Sequence, residues 1–348
     1  MSFPSRFLDE LRGRTALADL ISRKVSLQRR GQEHTGLCPF HKEKTPSFTV
    51  NEEKGFYHCF GCGQHGDAIS FVMETESLSF PEAVERLANA AGMEVPRATP
   101  EEVQREKRRG GLLEAVEAAT AWFERRLRDP EGNVALDYFT RRGLGSETIA
   151  KFRLGYAPVL GRGEASRLCS DLLRQGFETK TLVEAGLLNI PEDGRAPYDF
   201  FRGRAMFPIT DRRGRVIAFG GRVIGDGEPK YLNSRDTPLF DKRRTLYNLA
   251  NAREVCRDAP EMIVAEGYMD VIALDRGGFP AAVAPLGTAL TEEQIEALWK
   301  LVDEPLLCFD GDNAGRRAAG RAADRALPLL KPGKSIRIAF MPQGEDPD

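Results

Sequence analysis

The stretch Met262-Ile-Val-Ala-Glu-Gly-Tyr-Met-Asp-Val-Ile-Ala-Leu-Asp-Arg276 decides the fold of the C-terminal part of the chain. It joins a short apolar strand to a helix through Glu266 and a glycine, and strands and helices continue to alternate downstream. This alternation predicts an α/β architecture, with a parallel sheet and helices on its faces. The predicted strands are Met262–Ala265, Ala281–Ala284, Leu306–Phe309 and Ile336–Phe340, and the predicted helices lie near Tyr268–Arg276, Glu292–Val302 and Ala314–Leu330.

Three of these predicted strands are followed by carboxylates: Glu266 after the first, Asp310 and Asp312 after the third, and Asp346 and Asp348 after the last. Ligands of open α/β sheets bind outside the carboxyl ends of the strands. Five carboxylates there repel one another unless cations lie between them. Hard oxygen ligands favour Mg2+ or Mn2+, and one or two such ions could activate a 3′-hydroxyl and neutralise a triphosphate. Acidic helix caps are the alternative for each motif alone.

Two metal-binding knuckles, Cys38-Pro-Phe-His41 and Cys59-Phe-Gly-Cys62, stand 17 residues apart near the N-terminus. The four ligands form a Cys3His set, which closes a tetrahedral site, and thiolate with imidazole favours zinc. Alternating residues between the knuckles predict a hairpin, and hence a zinc ribbon. We expect one structural zinc ion, held by Cys38, His41, Cys59 and Cys62. The weaker candidates, one of which could replace His41, are His34, His58 and His65.

A closed zinc site is structural, so the function of the ribbon must come from the surface that the metal shapes. Aromatic residues interleaved with lysines suit base stacking and phosphate contact on single-stranded nucleic acid. These residues are Phe48, Phe56, Tyr57, Phe60, Lys42, Lys44 and Lys54. We expect a small core around the zinc to take at least two of the four aromatics.

A basic segment precedes the acidic strands. From Phe201 to Arg244 there are 11 Lys/Arg against 5 Asp/Glu, whereas from Ala259 to Asp348 there are 15 Asp/Glu against 9 Lys/Arg. The asymmetry indicates a polyanion track beside a metal site, and two solvated faces are the alternative. Gly220-Gly221 allows close backbone approach. We define the basic track as Arg202, Arg204, Arg222, Lys230 and Asn233, which suit phosphate, base or sugar contacts; surface salt bridging is the alternative for any one of them.

The composition is that of an ordinary globular protein of two or three domains, with 348 residues, 41% hydrophobic and 29% charged. No apolar run reaches the ~18 residues that a membrane span needs. The N-terminus carries acidic residues in an amphipathic pattern, unlike a secretory signal. We expect the cysteines outside the knuckles to be buried as small hydrophobic residues rather than paired in disulfides. We therefore expect a cytoplasmic protein with no membrane association.

The motifs together resemble the bacterial replicative primases of the DnaG type. The resemblance covers essentially the whole chain, and the order of the motifs is far more specific than any one of them. The motifs are Cys38-Pro-Phe-His-Lys-Glu-Lys-Thr-Pro-Ser-Phe, Tyr57-His-Cys-Phe-Gly-Cys-Gly, Gly143-Leu with Phe152-Arg-Leu-Gly-Tyr, Phe207-Pro-Ile, Pro229-Lys-Tyr-Leu-Asn-Ser, Glu266-Gly-Tyr-Met-Asp-Val and Asp310-Gly-Asp.

The resemblance implies a zinc-ribbon domain that reads template DNA, followed by an RNA polymerase core with a basic mixed α/β subdomain and a TOPRIM-type parallel-sheet subdomain. The chain is then α+β overall. We assign 1–98 to the zinc ribbon, 99–111 to a linker, 112–258 to the basic subdomain and 259–348 to an incomplete TOPRIM subdomain. The segment 99–111 could instead be a charged helix that begins the next domain.

The resemblance also implies an activity: RNA primers made de novo from nucleoside triphosphates on single-stranded DNA. Glu266 is then the catalytic or metal-organising glutamate, with Asp310 and Asp312 beside it. Asp310, Asp312, Asp346 and Asp348 bind metal, Asp270 is a supporting acid, and the basic track holds template or nucleotide. Family members continue into a helical end of the core and a C-terminal domain that binds the replicative helicase. Both lie beyond Asp348, so the chain reads as truncated.

Two other function classes remain open from the sequence. A topoisomerase or a nuclease can share the acidic fold, although the basic track and the zinc ribbon argue against both. The second class is a zinc-containing module that binds single strands without catalysis. This class does not explain the five carboxylates.

Overall fold

A computed structural model describes residues 3–31, 33–96, 99–161, 166–257, 261–287 and 289–342. The chain divides into two compact units, Met1–Gln104 and Arg105–Asp348. Every helix within the described ranges is too short or too polar to cross a lipid bilayer.

The first unit is a five-stranded antiparallel sheet with helices packed against it. Its strands pair in chain order: β1 Gln28–Arg30, β2 Glu33–Gly36, β3 Phe48–Asn51, β4 Phe56–Cys59 and β5 His65–Gly66. Its helices are α1 Ser5–Arg14, α2 Leu17–Ser22, α3 Ala68–Glu76 and α4 Phe80–Ala90. Side chains alternate across a strand, so Phe48 and Val50 of β3 both enter the core. There they join Phe71 and Val72 of α3.

Helix α5, Pro100–Arg128, covers the segment 99–111 from Pro100 onward, for which the sequence allowed either a linker or a charged helix. Its start is capped reciprocally, because the Thr99 hydroxyl accepts from the Glu102 amide at 3.2 Å and the Glu102 carboxylate accepts from the Thr99 amide at 2.9 Å. Residues 99–111 are therefore helical from Pro100 onward rather than an irregular linker. The predicted domain boundaries stay a prediction.

The second unit contains an antiparallel sheet built around a long hairpin. The sheet order is β11-β10-β9-β6, with β6 Gly155–Ala157, β9 Arg204–Thr210, β10 Val216–Val223 and β11 Tyr231–Asn233; β7 Leu188–Asn189 and β8 Tyr198–Asp199 form a separate pair. Accompanying helices are α6 Asn133–Arg141, α7 Ser146–Lys151, α8 Arg167–Arg174, α9 Thr179–Glu184 and α10 Leu249–Val255, with a 3₁₀ turn at Pro130–Gly132.

The predicted parallel sheet is confirmed in the same unit. Its order is β13-β12-β14-β15, and every pairing is parallel. The strands are β12 Ile263–Val264, β13 Ala282–Val283, β14 Leu306–Phe309 and β15 Arg337–Phe340. The helices are α11 Tyr268–Arg276, α12 Glu292–Trp299 and α13 Asn313–Ala326, followed by a 3₁₀ turn at Leu327–Leu329. The zinc-ribbon region, the mixed α/β region and the parallel sheet thus match the predicted fold class.

One hydrophobic core joins the two sheets of the second unit. Phe207 and Phe219 of the antiparallel sheet belong to the same buried cluster as Tyr268 and Ile272 of α11. Because α11 begins immediately after β12, this core fixes the position of the carboxyl end of β12.

Candidate metal centres and basic track

The four predicted zinc ligands meet in the first unit. Ligand atoms of Cys38, His41, Cys59 and Cys62 all lie within 4.8 Å of one another, close enough to surround one ion. Cys38 Sγ is 3.8 Å from Cys62 Sγ, and Cys59 Sγ is 3.8 Å from His41 Nδ1. In the described ranges no other group of three or more His, Cys, Asp or Glu residues comes so close. The weaker candidates His34, His58 and His65 are outside the group, and the soft donor set fits zinc.

Hydrogen bonds around Cys59 favour its thiolate, which is the form that binds metal. Burial acts to raise the pKa of the Cys59 thiol, but hydrogen bonds from Ser47 and from the Cys62 and Gly61 amides outweigh it and leave that pKa below its ordinary value. Burial raises the pKa of Cys38, its neighbour in the cluster. A zinc ion would offset that burial cost, because a coordinated thiol is deprotonated.

Glu43 supports this site, and the sequence reasoning missed it. Its carboxylate lies 3.3 Å from His41 Nε2 and accepts from the Cys38 amide at 2.7 Å. A ligand histidine commonly donates its second nitrogen to a carboxylate, which fixes the ring orientation. His41 therefore has Nδ1 on the cysteine side and Nε2 on the Glu43 side. An acid two residues after a ligand histidine was the available signal.

The core of the first unit takes two of the four ribbon aromatics, as expected. Phe48 and Tyr57 are fully buried, whereas Phe56 is 40% exposed and Phe60 is 75% exposed. Phe60 lies 4.5 Å from the His58 ring, centroid to centroid. The aromatic surface that can stack on a ligand is therefore Phe60 and part of Phe56.

Glu266 and Asp310 meet at the carboxyl edge of the parallel sheet. Strands β12 and β14 are neighbours, and the Asp310 amide donates to Glu266 Oε1 at 3.1 Å. Burial, followed by the negative charges of Asp270, Asp310 and Glu266, raises the pKa of the Cys308 thiol. The charges of these three carboxylates thus act on one thiol of β14.

Two of the acids also cap helices. Asp312 Oδ1 accepts from the Ala314 and Gly315 amides at 2.8 and 2.7 Å, at the start of α13. The carboxylate of Asp270 accepts from the Gly267 amide at 2.8 Å, at the start of α11. The helix-cap interpretation thus applies to Asp312, but capping occupies one carboxylate oxygen of a residue that has two.

Asp346 and Asp348 lie outside the described residues. The chain leading to them passes over the Asp310-Gly-Asp312 loop, because a Cβ atom at Gly311 would collide with the carbonyl oxygens of Met341 and Pro342. Glycine is therefore required between the two aspartates. In the described ranges, no three of the remaining acids come together as closely as the zinc ligands do.

The residues of the basic track differ in how accessible their side chains are to a ligand. Arg202 and Lys230 are exposed, and Arg202 lies 4.8 Å from the centre of the Tyr198 ring. Arg204 is only 6% exposed, and its Nη1 donates to the Gly221 and Pro229 carbonyls at 3.0 and 2.9 Å. Arg202 and Arg204 line a cavity of about 540 Å³. A structural role for Arg204 is evident, and its contact with phosphate stays a prediction.

Arg222 and Asn233 already have protein partners. The Arg222 guanidinium lies 4.7 Å from the centre of the Tyr138 ring and donates to the Val223 carbonyl. Asn233 Nδ2 donates to the Leu286 carbonyl at 3.1 Å, and its Oδ1 accepts from the Tyr268 hydroxyl. Direct contact of either residue with template or nucleotide stays a prediction.

The paired glycines of β10 make room for protein rather than ligand. A Cβ atom at Gly220 would overlap the Tyr268 ring, and one at Gly221 would press on Phe201 and Arg204. The close approach to the backbone that the paired glycines predict is made by these side chains.

Arg142 is a further basic candidate that the sequence reasoning missed. Burial raises the pKa of Tyr231, and the charges of Arg222 and Arg142 both act to lower it. Arg142 and the track residue Arg222 thus act on the same tyrosine, although they are far apart in sequence. No local pattern signals it.

Comparison with known proteins matches three successive parts of the chain to family models. They are the CHC2 zinc finger over residues 3–103, the N-terminal domain of the DNA primase catalytic core over 122–253 and the Toprim domain over 261–340. A DNA primase of Pseudomonas putida is 48% identical over 348 residues, which cover 99% of this chain and 52% of that relative. The chain thus spans about half the length of the curated relatives it matches.

Solved structures agree with this assignment. The zinc-binding and RNA polymerase domains of the Aquifex aeolicus primase are 35% identical with a TM-score of 0.61, and the match covers 100% of this chain and 81% of that chain. A DnaG primase catalytic domain bound to ssDNA is 41% identical with a TM-score of 0.62, over 70% of this chain and 77% of that chain. With a zinc ribbon, a catalytic core and a Toprim domain in this order, the chain belongs to the DnaG-type family of bacterial DNA primases.

Proposed function

We propose that this chain is the priming part of a bacterial DNA primase, which makes short RNA primers de novo from nucleoside triphosphates on single-stranded DNA. The observation that carries the proposal is the meeting of Glu266 and Asp310 at the carboxyl edge of the parallel sheet. Ligands of open α/β sheets bind at such an edge. The 48% identity to a DNA primase supports the same activity.

In this proposal Glu266, Asp310 and Asp312 are catalytic, and together with Asp346 and Asp348 they hold Mg2+ or Mn2+. The donors are all carboxylate oxygens, which suit these hard cations. Pro342, four residues before Asp346, lies beside Gly311, which supports a position of the last acidic segment at this edge. When bound, the ions supply positive charge at the attacking oxygen and at the leaving pyrophosphate.

The basic track is proposed to hold template or nucleotide through two kinds of residue. Arg202 and Lys230 are exposed and suit direct phosphate contact. Arg204, Arg222 and Asn233 are bonded to protein and suit the positioning of that surface. Arg142 joins them because its charge acts on Tyr231 beside Arg222.

The zinc ribbon is proposed to contact the template strand. Cys38, His41, Cys59 and Cys62 would hold one structural zinc ion, and the exposed ring of Phe60 offers a stacking surface. Single-stranded DNA is the proposed template because a similar catalytic domain is bound to ssDNA in its solved structure.

Further partners are proposed for the full-length protein. Relatives are about twice as long as this chain, and we propose a replicative helicase as a partner, through the C-terminal domain that is expected of full-length family members. The proposed location is the cytoplasm, where bacterial chromosomes are replicated.

Labelled-nucleotide incorporation on defined single-stranded templates tests the proposal. Zinc-loaded protein should make short RNA with Mg2+ or Mn2+, and Glu266→Gln should abolish it. Glu261→Gln is the matched control, because Glu261 is an exposed acid just before the same strand. Cleavage or relaxation of supercoiled DNA without synthesis would instead favour a nuclease or a topoisomerase. Strand binding without any incorporation would favour the non-catalytic module.

A further inference from the structure

A cavity of about 940 Å³ with an arginine-rich rim lies in the second unit, apart from the acidic edge and the basic track. Its walls are helix α5 and the turn between β9 and β10, with Pro238 beside them. The turn closes the hairpin, whereas Gly220, beside Tyr268, lies in the middle of β10. Gly220 stands five positions after Arg215 along the chain, or roughly 16 Å at ~3.3 Å per residue. The arginines are Arg105, Arg108, Arg109, Arg212, Arg213 and Arg215.

Local structure explains why these arginines converge. Arg105, Arg108 and Arg109 are spaced three and four residues apart, so they share one face of α5. Leu112 continues that face and is only 1% exposed, which anchors the helix against the core. On the opposite wall, Asp211 Oδ1 accepts from the Arg213 and Arg215 amides at 2.8 and 3.1 Å. This bonding holds the turn in one conformation.

The positive charge of the rim is mostly uncompensated. Arg108 pairs with Glu184 at 2.6 Å, and Arg215 pairs with Asp211 at 2.7 Å. The other four, Arg105, Arg109, Arg212 and Arg213, have no ion pair within the part of the chain that the structure describes. Like charges held together raise the free energy of the fold unless an anion neutralises them. Two carboxylates, Glu106 and Asp211, are the only acids among the described lining residues.

We propose that this cavity binds the phosphates of a nucleic-acid strand. The guanidinium fork matches a phosphate group, and arginines on two facing walls can grip successive phosphates. No aromatic side chain is found among the described lining residues, whose apolar members are Leu112, Leu113 and Pro238. The site therefore lacks a stacking surface for a base, which points to the backbone as the ligand. Such a contact is independent of sequence and strongly dependent on salt.

The inference goes beyond the proposed function, whose nucleic-acid contacts are the basic track and the zinc ribbon. A strand held at both the basic track and this cavity would follow the length of the β9–β10 hairpin. The cavity would then add affinity for longer strands without taking part in nucleotide transfer. A free nucleotide or pyrophosphate has the same phosphate chemistry, and the test below separates that source.

The test pairs one arginine from each wall. Binding of labelled oligo-dT and oligo-dA to the zinc-loaded protein is measured by anisotropy over a range of salt concentrations. Arg109→Gln/Arg213→Gln should weaken binding of both oligonucleotides about tenfold and lower the salt slope by about 1.4 units, the value for two single-strand phosphate contacts. The control Arg253→Gln/Lys300→Gln removes two exposed positive charges elsewhere in the unit and should leave the slope unchanged.

Circular dichroism and melting temperature verify that each variant is folded, and the two single variants should give intermediate slopes. A double variant with the slope and affinity of wild type would overturn the inference while the basic track still bound DNA. If the cavity instead binds free phosphate, pyrophosphate should raise the melting temperature of the wild type but not of the double variant. The salt slopes of oligonucleotide binding should then be the same for both proteins. That result also overturns the strand proposal. A wild-type protein that bound no oligonucleotide would count against the proposed function as well.

Discussion

The hydroxyl of Tyr268 donates a hydrogen bond to Oδ1 of Asn233 and so links the parallel-sheet part of the second unit to its antiparallel sheet. The Tyr268 ring stacks on Phe207, with centroids 5.2 Å apart, and fills the space beside Gly220. Tyr268 stands two residues after Glu266, the proposed catalytic acid. The predicted nucleotide-contacting residue Asn233 is therefore coupled to the backbone that carries Glu266.

Removing the Tyr268 hydroxyl tests this link. Tyr268→Phe keeps the ring in place but leaves a part-buried Asn233 oxygen without its donor, so the free energy of unfolding should fall by about 1 kcal/mol. Urea unfolding measures it. Tyr231→Phe is the control, because Tyr231 is 40% exposed and its hydroxyl makes no hydrogen bond within the described ranges. Equal stability of the Tyr268 and Tyr231 variants would show that the link contributes nothing.

The buried Tyr247 should lower the free energy of unfolding at alkaline pH. Burial raises the pKa of Tyr247 above its ordinary value of ~10, so the folded state holds its proton where the unfolded state has lost it. This contribution is complete below pH ~10 and is lost as the pH rises further. The Tyr247 hydroxyl has no hydrogen-bond partner among the described residues. Tyr247→Phe should therefore be at least as stable at pH 7, by up to about 1 kcal/mol.

Urea midpoints measured from pH 7 to 11 check this prediction. The Tyr247→Phe protein should lose less stability than wild type above pH 10. Tyr198→Phe, which changes a tyrosine that is not fully buried, should follow the wild-type curve. Parallel curves for Tyr247→Phe and wild type would mean that another group sets the alkaline limit.

Asp312 should separate capping from metal binding. Asp312→Asn keeps a side-chain oxygen for the Ala314 and Gly315 amides, because asparagine caps helices about as well as aspartate. Its stability should match wild type within about 0.5 kcal/mol, whereas Asp312→Ala should lose about 1 kcal/mol. Both variants should lose Mg2+-dependent primer synthesis, because both lack the carboxylate charge. If Asp312→Asn retains primer synthesis, the Asp312 carboxylate acts only as a helix cap and not as a metal ligand.

Asp310 should be essential for synthesis and dispensable for DNA binding. Asp310→Asn removes a negative charge from the acidic edge, so metal binding should weaken and dinucleotide synthesis should fall by roughly 100-fold or more. The Asp310 amide that donates to Glu266 is unchanged by the substitution. Wild type should gain melting temperature on addition of Mg2+, and the variant should gain less. Near-normal synthesis at low Mg2+ with an unchanged melting shift would exclude Asp310 as a ligand.

Zinc should be bound in the first unit and should stabilise only that unit. Cys59→Ser should lose stoichiometric zinc and unfold the ribbon, since structural zinc contributes directly to the free energy of folding. The second unit has its own buried core and should stay folded. Cys169→Ser is the control, because Cys169 is a buried cysteine outside the ligand group.

Glu43→Gln should keep the fold and lower zinc affinity by about 10- to 100-fold. Metal analysis and proteolysis measure both effects.

Much of the fold was predictable because its signals are local. The four parallel strands follow from short apolar runs, and each observed strand lies within its predicted limits. The zinc group follows from the spacing of its ligands, which a hairpin brings together without help from the rest of the chain. The meeting of Glu266 and Asp310 follows from parallel topology, because neighbouring strands end at one edge.

The order of elements, the zinc ligand group and the edge at which the acids collect follow from the amino-acid sequence, since all three depend on spacing and on strand direction. Which polar side chains remain accessible to a ligand depends on tertiary packing. Arg204 and Asn233 carry the right chemistry for a nucleic-acid contact, but their hydrogen bonds go to backbone carbonyls and to Tyr268. Those partners lie 17 to 53 residues away in sequence. Burial and long-range pairing arise from packing between elements, so no local spacing specifies them.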